Sequence, residues 1–336
     1  MNAETLSPSL WTLAWRRLRA DRVAMVSLAV VLAFLALLGL SASGLVAADW
    51  EREVGVHYAP PVFAGASAGD GADATGQAAR AALAPNPFDP LAADIAAIGK
   101  TGALVAPEAK RQTLPFGADK WGHDIVKKTI KGGQTSMIVG LGAALLAVAL
   151  GTLFGAFAGF YGGFVDDFFN WFYSVFTSIP SILMILTVAA VLQQKGVTTI
   201  VLILGMTGWT GPFRLIRAEY IKHKGREYVL AAHAIGASNW RKMFSHIFPN
   251  VSHVALVQLS ILVVGFIKAE VILSFLGFGV PVGTVSWGSM LNEAQNELIL
   301  GKWWQLVAAA SAMALLVTAF SLLTDALRDA MDPKSL

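Results

Sequence analysis

The chain has 336 residues, of which 55% are hydrophobic and 14% are charged, and its mean hydropathy is +0.60. These values exclude an ordinary soluble domain, and uncharged runs long enough to cross a bilayer core of about 30 Å predict an integral membrane protein. The net charge of +3 does not indicate nucleic-acid binding, because the basic residues cluster in loops, and the lack of cysteine excludes disulfides and thiolate metal sites.

Six uncharged or nearly uncharged runs predict an all-α polytopic membrane protein with six transmembrane helices, which close their own hydrogen bonds in lipid. The runs are 23–48, 132–165, 168–194, 196–213, 243–267 and 303–324. The predicted organisation is a tail (1–22), a first span (23–48), an extracytoplasmic cap (49–131), a five-helix core (132–325) that includes the loop 214–249, and a second tail (326–336).

The basic residues predict the orientation of these spans. Four arginines precede the first span and seven basic residues lie in 214–242, whereas the loop after residue 194 and the segment 277–302 carry one lysine each. The positive-inside rule therefore places both termini and the loop 214–249 in the cytoplasm. Lys127, Lys128 and Lys131 do not fit this orientation, because it places them outside the cytoplasm. Long loops translocate largely regardless of charge, so we assign the orientation from the short loops.

The middle of the extracytoplasmic segment is rich in alanine and glycine, which predicts a partly ordered cap without a substantial core. Residues 98–101, Ile-Gly-Lys-Thr, imitate the end of a phosphate-binding loop, but Asp94 stands where that motif needs a glycine. The chain therefore lacks a recognisable nucleotide-binding loop, and ATP-driven work would belong to a partner.

The polar loop 214–249 predicts a helix, a tight turn and a second helix. Residues 227–235 form the first helix, and Gly236 suits the left-handed residue that ends it. Ser238 or Asn239 caps the second helix, which Pro249 ends. The apolar residues on one face of that second helix are Trp240, Met243, Phe244 and Ile247. Such a loop suits docking to a soluble protein, with this apolar face supplying the contact; the alternative is a hairpin lying on the membrane surface.

The spacing of Ala231-Ala232, Gly236 and Pro249 resembles the EAA loop of binding-protein-dependent ABC importer permeases, which inserts into a groove on the ATPase subunit. Leu230 occupies the acidic position, a departure that resembles the peptide and nickel branch of the family. The residues that fit the pattern of this branch are Tyr228, Val229, Ala231, Ala232, Gly236, Ala237, Ser238, His246, Pro249 and Asn250.

Further segments resemble the same branch in family order, and specifically its C-type membrane subunit. They are FGAD (116–119) with GHD (122–124), YGG (161–163) followed by Asp166, IPS (179–181), LSFLGFG (273–279), SWG (286–288), LRDA (327–330) and Asp332-Pro333. The resemblance covers residues 10–45 and 115–336.

The resemblance implies a type I ABC importer permease fold in the bacterial inner membrane, forming half of a heterodimeric pore. The implied partners are a second homologous permease, two cytoplasmic ATPase subunits that use ATP and Mg²⁺, and an extracytoplasmic solute-binding protein. The implied cargo is a dipeptide or oligopeptide, with nickel chelates, opines or modified peptides as alternatives. No catalytic residue and no cofactor of the chain itself are expected. The residues expected to couple to the ATPases are Glu227, Tyr228, Val229, Ala231, Ala232, Gly236, Ala237, Ser238, Trp240, Phe244, His246 and Pro249.

Three residues are candidates for the translocation path. Lys268 and Glu270 lie inside an apolar run, where a charge at mid-bilayer depth costs roughly 2.5–3.5 kcal/mol, and such residues usually face a bundle interior or an aqueous path. We expect each either to line the extracytoplasmic end of the path or to pair with a partner subunit. Pro180 is expected to bend the third span, either opening the pore or serving as a packing kink. Asp166 and Asp167 are expected to be solvated helix caps.

Two other classes of protein remain open. A secondary transporter driven by protons or sodium would use Glu270 as the ion-coupled carboxylate. Such transporters usually show inverted repeats, and the two halves of this sequence show no convincing repeat. A membrane scaffold without transport is disfavoured by the intramembrane charges. The six histidines do not form a metal-ligand set, so no metal site is predicted.

Overall fold

The computed structural model describes residues 10–65, 110–281 and 283–331, with side chains from residue 15 onward. Regular structure in these ranges is helical apart from isolated β-bridges and one short 3-10 turn, which confirms the all-α prediction. The predicted Gly-Lys-Thr segment, the middle of the cap and Asp332-Pro333 lie outside the described residues. The helices are α1 (Leu10–Ala20), α2 (Arg22–Ala42), α3 (Ile125–Tyr161), α4 (Gly163–Thr177), α5 (Ser181–Leu192), α6 (Val197–Thr207), α7 (Thr210–Lys224), α8 (Glu227–Ala234), α9 (Asn239–Phe275), α10 (Trp287–Ile299) and α11 (Trp304–Met331).

Four of the described helices, α2, α3, α9 and α11, are long and apolar enough to cross a membrane. The predicted third and fourth spans are each broken into two helices, α4 with α5 at 85° and α6 with α7 at 42°, so the described residues hold four to six candidate spans. Pro180 directly precedes α5 and lies at the sharper break. A proline has no amide hydrogen to continue a helix, so the predicted bend at this residue is confirmed.

Helix α3 extends beyond the predicted second span. It begins at Ile125 rather than at residue 132, and the Asp124 carboxylate accepts a hydrogen bond of 2.8 Å from the Val126 amide at its first turn. Lys127, which precedes the uncharged run in the sequence, pairs with Asp49 at 2.7 Å and is accommodated within the helix. The predicted boundary between residues 131 and 132 therefore falls inside α3.

Other predicted segment boundaries also do not coincide with the ends of helices. Helix α2 ends at Ala42, six residues before the predicted end of the first span, and the predicted N-terminal tail contains α1. Helix α11 continues to Met331, so the predicted boundary between residues 325 and 326 lies within it. An uncharged run marks the part of a helix that lipid can cover, whereas the helix itself extends through charged turns that find polar surroundings.

Glycines spaced four residues apart bring α3 and α7 into backbone contact. A Cβ atom placed on Gly151, Gly155 or Gly159 would stand 2.6–2.8 Å from the carbonyl oxygens of Trp209, Phe213 and Arg217, respectively. Such small-residue stripes allow helices to pack closely in membranes. Since α7 leads into the polar loop, this contact fixes the base of that loop against the second half of α3.

The two ends of α3 carry different structures, and its 37 residues place them roughly 55 Å apart. We call the residues 43–65 and 110–124 at its N-terminal end the cap, and the residues 226–250 at its C-terminal end the hairpin. The two cap segments join through bridges that include Gly55 with Arg111 and Pro61 with Leu114. The Trp304 indole donates a hydrogen bond of 2.7 Å to the carbonyl oxygen of Ala118, which ties the cap to the start of α11.

Candidate functional site

The hairpin has the predicted helix, turn and helix. Helix α8 ends where Gly236 takes a left-handed φ of +81°, and the Gly236 amide donates a hydrogen bond of 3.0 Å to the His233 carbonyl oxygen. The Ser238 hydroxyl then accepts a hydrogen bond from the Arg241 amide at the start of α9. Both the turn at Gly236 and the cap at Ser238 are therefore confirmed.

Pro249 does not end the second helix, and that prediction is wrong. Residues Lys242–Ile247 form a π-helical segment, and α9 continues without interruption through Pro249 to Phe275. The Phe248 amide closes the wider turn on the Met243 carbonyl oxygen just before the proline. Because Pro249 follows directly on this turn, in the first turn of the α-helical part, its missing amide hydrogen is tolerated. The second helix of the hairpin therefore continues without a break into the apolar remainder of α9.

One face of the hairpin is buried within the chain. Val229, Met243 and Ile247 pack with residues of α3 and α7, and the Tyr220 hydroxyl donates a hydrogen bond of 3.1 Å to the Met243 carbonyl oxygen. Met243 is fully buried, so it is not available to a groove on another protein, contrary to the prediction that its face is the docking face. These contacts attach the hairpin rigidly to α7.

Outside this buried set, the hairpin exposes large apolar side chains. Ile235 is 85% exposed, Trp240 is 61% exposed and Leu230 is more than half exposed. Phe244 is partly buried and its ring lies 4.4 Å from that of Trp240. Exposed apolar clusters rimmed by polar residues mark interaction surfaces. We call the buried apolar residues the closed apolar face of the hairpin and these exposed apolar residues its open apolar face.

The residues predicted to couple to ATPases divide between these faces. Val229 and Ala232 are buried, and Ala237, Phe244 and His246 are partly buried. The exposed members of the predicted set are Glu227, Tyr228, Ala231, Gly236, Ser238, Trp240 and Pro249. Ile235 and Leu230 are not in the predicted set, although they expose more of their side chains than Tyr228 does. The position of Ile235 directly before the predicted turn was the available signal.

Two polar contacts, one partly buried and one exposed, lie at the base of the hairpin. Lys242 is buried, lies 5.7 Å from the Phe160 ring centroid and is 3.2 Å from the His233 ring nitrogen. The His223 ring nitrogen lies 2.9 Å from the Tyr228 hydroxyl, and burial raises the pKa of Tyr228. These contacts join the hairpin to α3 and α7, and the coupling role of Tyr228 stays a prediction.

The candidates for the translocation path are placed differently from one another. Glu270 is fully buried, and its two carboxylate oxygens accept hydrogen bonds from Ser136 at 2.7 Å and from Ser274 at 2.6 Å. Serines of its own chain therefore satisfy both carboxylate oxygens, and its role in the translocation path stays a prediction. Lys268 and Pro180 are exposed, and their roles stay predictions.

Asp166 is not a solvated cap. Its carboxylate forms two hydrogen bonds with the Arg217 guanidinium, at 2.5 and 2.6 Å, and both side chains are partly buried. The neighbouring Asp167 is exposed, as expected. The pair joins α4 to the middle of α7, 51 residues apart in the chain, so no local pattern in the sequence predicted it.

A buried ion network at the cap end was also missed. The Lys128 ammonium lies 2.7 Å from Asp119 and 2.6 Å from Glu293, and Gln305 donates a hydrogen bond of 3.2 Å to Glu293. Burial alone would raise the pKa of Asp119, but hydrogen bonding from His123 and the charge of Lys128 hold it well below its usual range. The network fastens the cap to α3, α10 and α11.

Glu297 on α10 is a second buried acid near this network. It is 1% exposed, and neither of its carboxylate oxygens has a hydrogen-bond partner among the described residues. Burial raises the pKa of Glu297 to about 7. In the described part of the chain, no group of three or more histidine or acidic side chains is arranged to hold a metal ion.

Two stretches of the chain match known families. Residues 151–335, which include the whole hairpin, match the family described as binding-protein-dependent transport system inner membrane component. Residues 9–61 match the N-terminal TM domain of oligopeptide transport permease C.

Individual relatives agree with these matches. The dipeptide transport system permease protein DppC of Bacillus subtilis is 35% identical over 238 residues, which are 69% of this chain and 74% of that protein. The oligopeptide transport system permease protein OppC of the same organism is 36% identical over 234 residues, covering 70% and 76%. OppC of Haemophilus influenzae is 32% identical over 219 residues, covering 65% and 70%.

Proposed function

The chain belongs to the binding-protein-dependent transport system inner membrane components, and from that premise we propose that it is a permease subunit of an ABC importer for dipeptides or oligopeptides. It is a multi-pass inner-membrane protein. In the proposal it crosses the membrane six times, with both termini and the hairpin in the cytoplasm and the cap outside. It pairs with a second homologous permease to form the pore.

The observation that carries this proposal is the open apolar face of the hairpin beside its closed face. Ile235 and Trp240 are exposed to water in the isolated chain, and burying either side chain contributes roughly 1.5–3 kcal/mol. A helix with exposed apolar anchors fits a hydrophobic groove on a partner. We propose that the partner is a cytoplasmic ATPase subunit, one of two that supply ATP hydrolysis.

The proposed mechanism is alternating access driven through the hairpin. Closure of the ATPases on ATP moves the hairpin, which is packed through Met243 and Tyr220 onto α7. Helix α7 is in backbone contact with the glycines of α3 and is paired to α4 through Arg217 and Asp166. These contacts make the hairpin and three helices move together, so that a cytoplasmic displacement rotates the spans.

On the outer side, a solute-binding protein would deliver cargo to the cap and to the neighbouring loops. Selection of the peptide would then lie mainly with that protein. ATP and Mg²⁺ belong to the partner subunits in this proposal, and the chain itself holds no cofactor and performs no catalysis.

The test is affinity purification of the tagged chain from its native membrane, followed by mass spectrometry. We expect recovery of a second permease and of ATPase subunits. Gly236→Pro should lose the ATPases and keep the second permease, because a proline cannot adopt φ of +81° and cannot donate the hydrogen bond to His233.

Gly301→Pro is the matched control. Gly301 also has a positive φ, +76°, and its amide donates a hydrogen bond of 2.9 Å to the Leu298 carbonyl oxygen, but it lies at the end of α10. The ATPases should copurify with this variant. A wild-type chain that purifies without any ATPase would contradict the proposal.

A further inference from the structure

A cleft of about 640 Å³ opens at the cap end of the molecule. It lies between the cap, the loop that joins α9 to α10 and the loop that joins α5 to α6. Its volume is within the 300–1,000 Å³ typical of small-molecule sites. The lining combines aromatic rings, charges of both signs and glycine-containing backbone, as in Trp50, Trp121, Lys120, Lys195, Glu293 and Gly279.

Glu293 gives one wall of the cleft a fixed negative charge. Its Oε2 atom accepts hydrogen bonds from Lys128 at 2.6 Å and from Gln305 at 3.2 Å, while its side chain stays 32% exposed. Lys128 is shared with the buried carboxylate of Asp119, so two carboxylates face one ammonium and the network carries one excess negative charge when His123 is neutral. A carboxylate already held in place loses little conformational freedom when it binds a cation.

The same cleft is lined by positive groups on other segments. Lys120 comes from the cap and lies 5.5 Å from the Trp121 ring centroid, and Lys195 comes from the loop between α5 and α6. Both lysine side chains are exposed. A ligand that fits this lining carries a cation and an anion on one small molecule and has apolar parts for the tryptophan rings.

We propose that the cleft is a docking site for the free termini of a short peptide on its way into the pore. The peptide ammonium binds the Glu293 carboxylate, and the peptide carboxylate binds Lys195 or Lys120. The proposal deepens the proposed function and rests on it, since it takes the cargo to be a peptide. It assigns to this chain a contact with the cargo after release from the binding protein.

The experiment uses the purified transporter complex in lipid nanodiscs without the binding protein. The probe is the tripeptide Ala-benzoylphenylalanine-Ala with free termini, which crosslinks on illumination, and mass spectrometry locates the crosslinks. We expect crosslinks to residues of the cap and of 277–293. Acetylating the peptide amine, or changing Glu293→Gln, should each lower the yield about tenfold, the effect of losing one charged hydrogen bond.

Glu53→Gln is the matched control, because Glu53 is also a cap-end carboxylate paired with a lysine, Lys110, but does not line the cleft. Its crosslinking yield should equal that of the wild type. Lys195→Glu changes an exposed side chain and tests the other terminus without risk to the buried network. It should lower crosslinking of the free-carboxylate peptide much more than crosslinking of its C-terminal amide.

Crosslinks confined to other regions, or yields unaffected by both acetylation and Lys195→Glu, would overturn the docking site. That result in a complex that contains ATPases and transports peptides would leave the proposed function intact. If Glu293→Gln does not assemble, the acetylated peptide and Lys195→Glu decide the question with the native network in place.

Discussion

The two ends of α3 differ in how charged and apolar side chains are placed. At the cap end, the charges of Asp119, Lys128 and Glu293 are brought together in one ion network, in which Glu293 keeps a partly exposed side chain. At the hairpin end, the buried side chains are mostly apolar, and large apolar groups such as Ile235 and Trp240 remain exposed. The cap end pairs the charges of this network within the chain, whereas the hairpin end leaves apolar surface open.

This difference indicates which end depends on a partner. A buried ion pair that loses one member leaves a charge without compensation, so the cap end is sensitive to changes within the chain. An exposed apolar face costs little in the isolated subunit and gains when another protein covers it. The comparison therefore predicts large losses of stability from cap-end changes and losses of assembly from hairpin changes.

The largest expected effect is on the buried network. Lys128→Met should destabilise the purified protein by about 3–5 kcal/mol, because Asp119 and Glu293 are left facing each other without their cation. Unfolding in detergent, followed by tryptophan fluorescence, measures the loss. Lys127→Met is the control, since its pair with Asp49 is exposed and should contribute less than about 1 kcal/mol. Equal effects of the two substitutions would remove the distinction between buried and exposed pairs.

The next effect concerns pH at the same end. Burial raises the pKa of Glu297 from 4.5 to about 7, so the folded protein binds a proton between these values that the unfolded chain releases. The contribution of Glu297 to the free energy of unfolding is therefore fully present below about pH 4.5. It falls as the pH rises through about 7, and the total loss is up to about 3 kcal/mol.

Unfolding measured across this range should show that slope, and Glu297→Gln should flatten it. Glu51→Gln, which changes an exposed acid, should leave the slope unchanged. A wild-type stability that rises with pH over this interval would contradict the buried, uncompensated carboxylate.

A smaller effect is expected from the pair that joins α4 to α7. Asp166→Asn should cost about 1 kcal/mol, because the pair with Arg217 is bidentate but partly exposed. Asp167→Asn, at the exposed neighbouring position, should have no effect. The double exchange Asp166→Arg with Arg217→Asp should recover part of the loss in the same unfolding measurement. If the exchange is no better than the single change, the charge pairing does not join these helices.

The smallest effect is expected at Pro249. Since α9 runs through this residue after a wide turn, Pro249→Ala should change stability by less than about 1 kcal/mol and should not alter recovery of the ATPases. Pro180→Ala is the contrasting change, because Pro180 stands at the 85° break between α4 and α5. A large loss of assembly in Pro249→Ala alone would restore the view that the proline ends a separate helix.

The parts of the fold that were predicted from sequence depend on local patterns. The turn at Gly236 and the cap at Ser238 follow from residue types that suit one backbone conformation, and both are present. The apolar face of the second helix was predicted as one surface, but Met243 turns inward while Trp240 stays exposed. A helical period shows which residues share a face, and it does not show how much of that face the same chain already covers.

The parts that were missed depend on distant contacts. Lys128 and Glu293 are 165 residues apart, and Asp166 and Arg217 are 51 residues apart. Lys128 runs against the positive-inside prediction, and its carboxylate partners, the buried Asp119 and the partly exposed Glu293, explain how it is accommodated near the start of a span. The Glu270 partner on another helix, Ser136, is 134 residues away in the chain and cannot be recognised from sequence, whereas Ser274 lies four residues along the same helix.

The most direct test uses the absence of cysteine from this chain. Ile235 in the hairpin and Ile299 at the end of α10 are 85% and 84% exposed, so cysteines at these positions are matched reporters for the two ends. A membrane-impermeant maleimide is applied to spheroplasts and to inside-out vesicles that carry or lack the ATPase subunits. We predict that Ile299→Cys reacts in spheroplasts, and that Ile235→Cys reacts only in inside-out vesicles and is protected by the ATPases. Reaction of Ile235→Cys in spheroplasts, or equal reaction with and without the ATPases, would contradict the assignment of the hairpin as the ATPase-docking element.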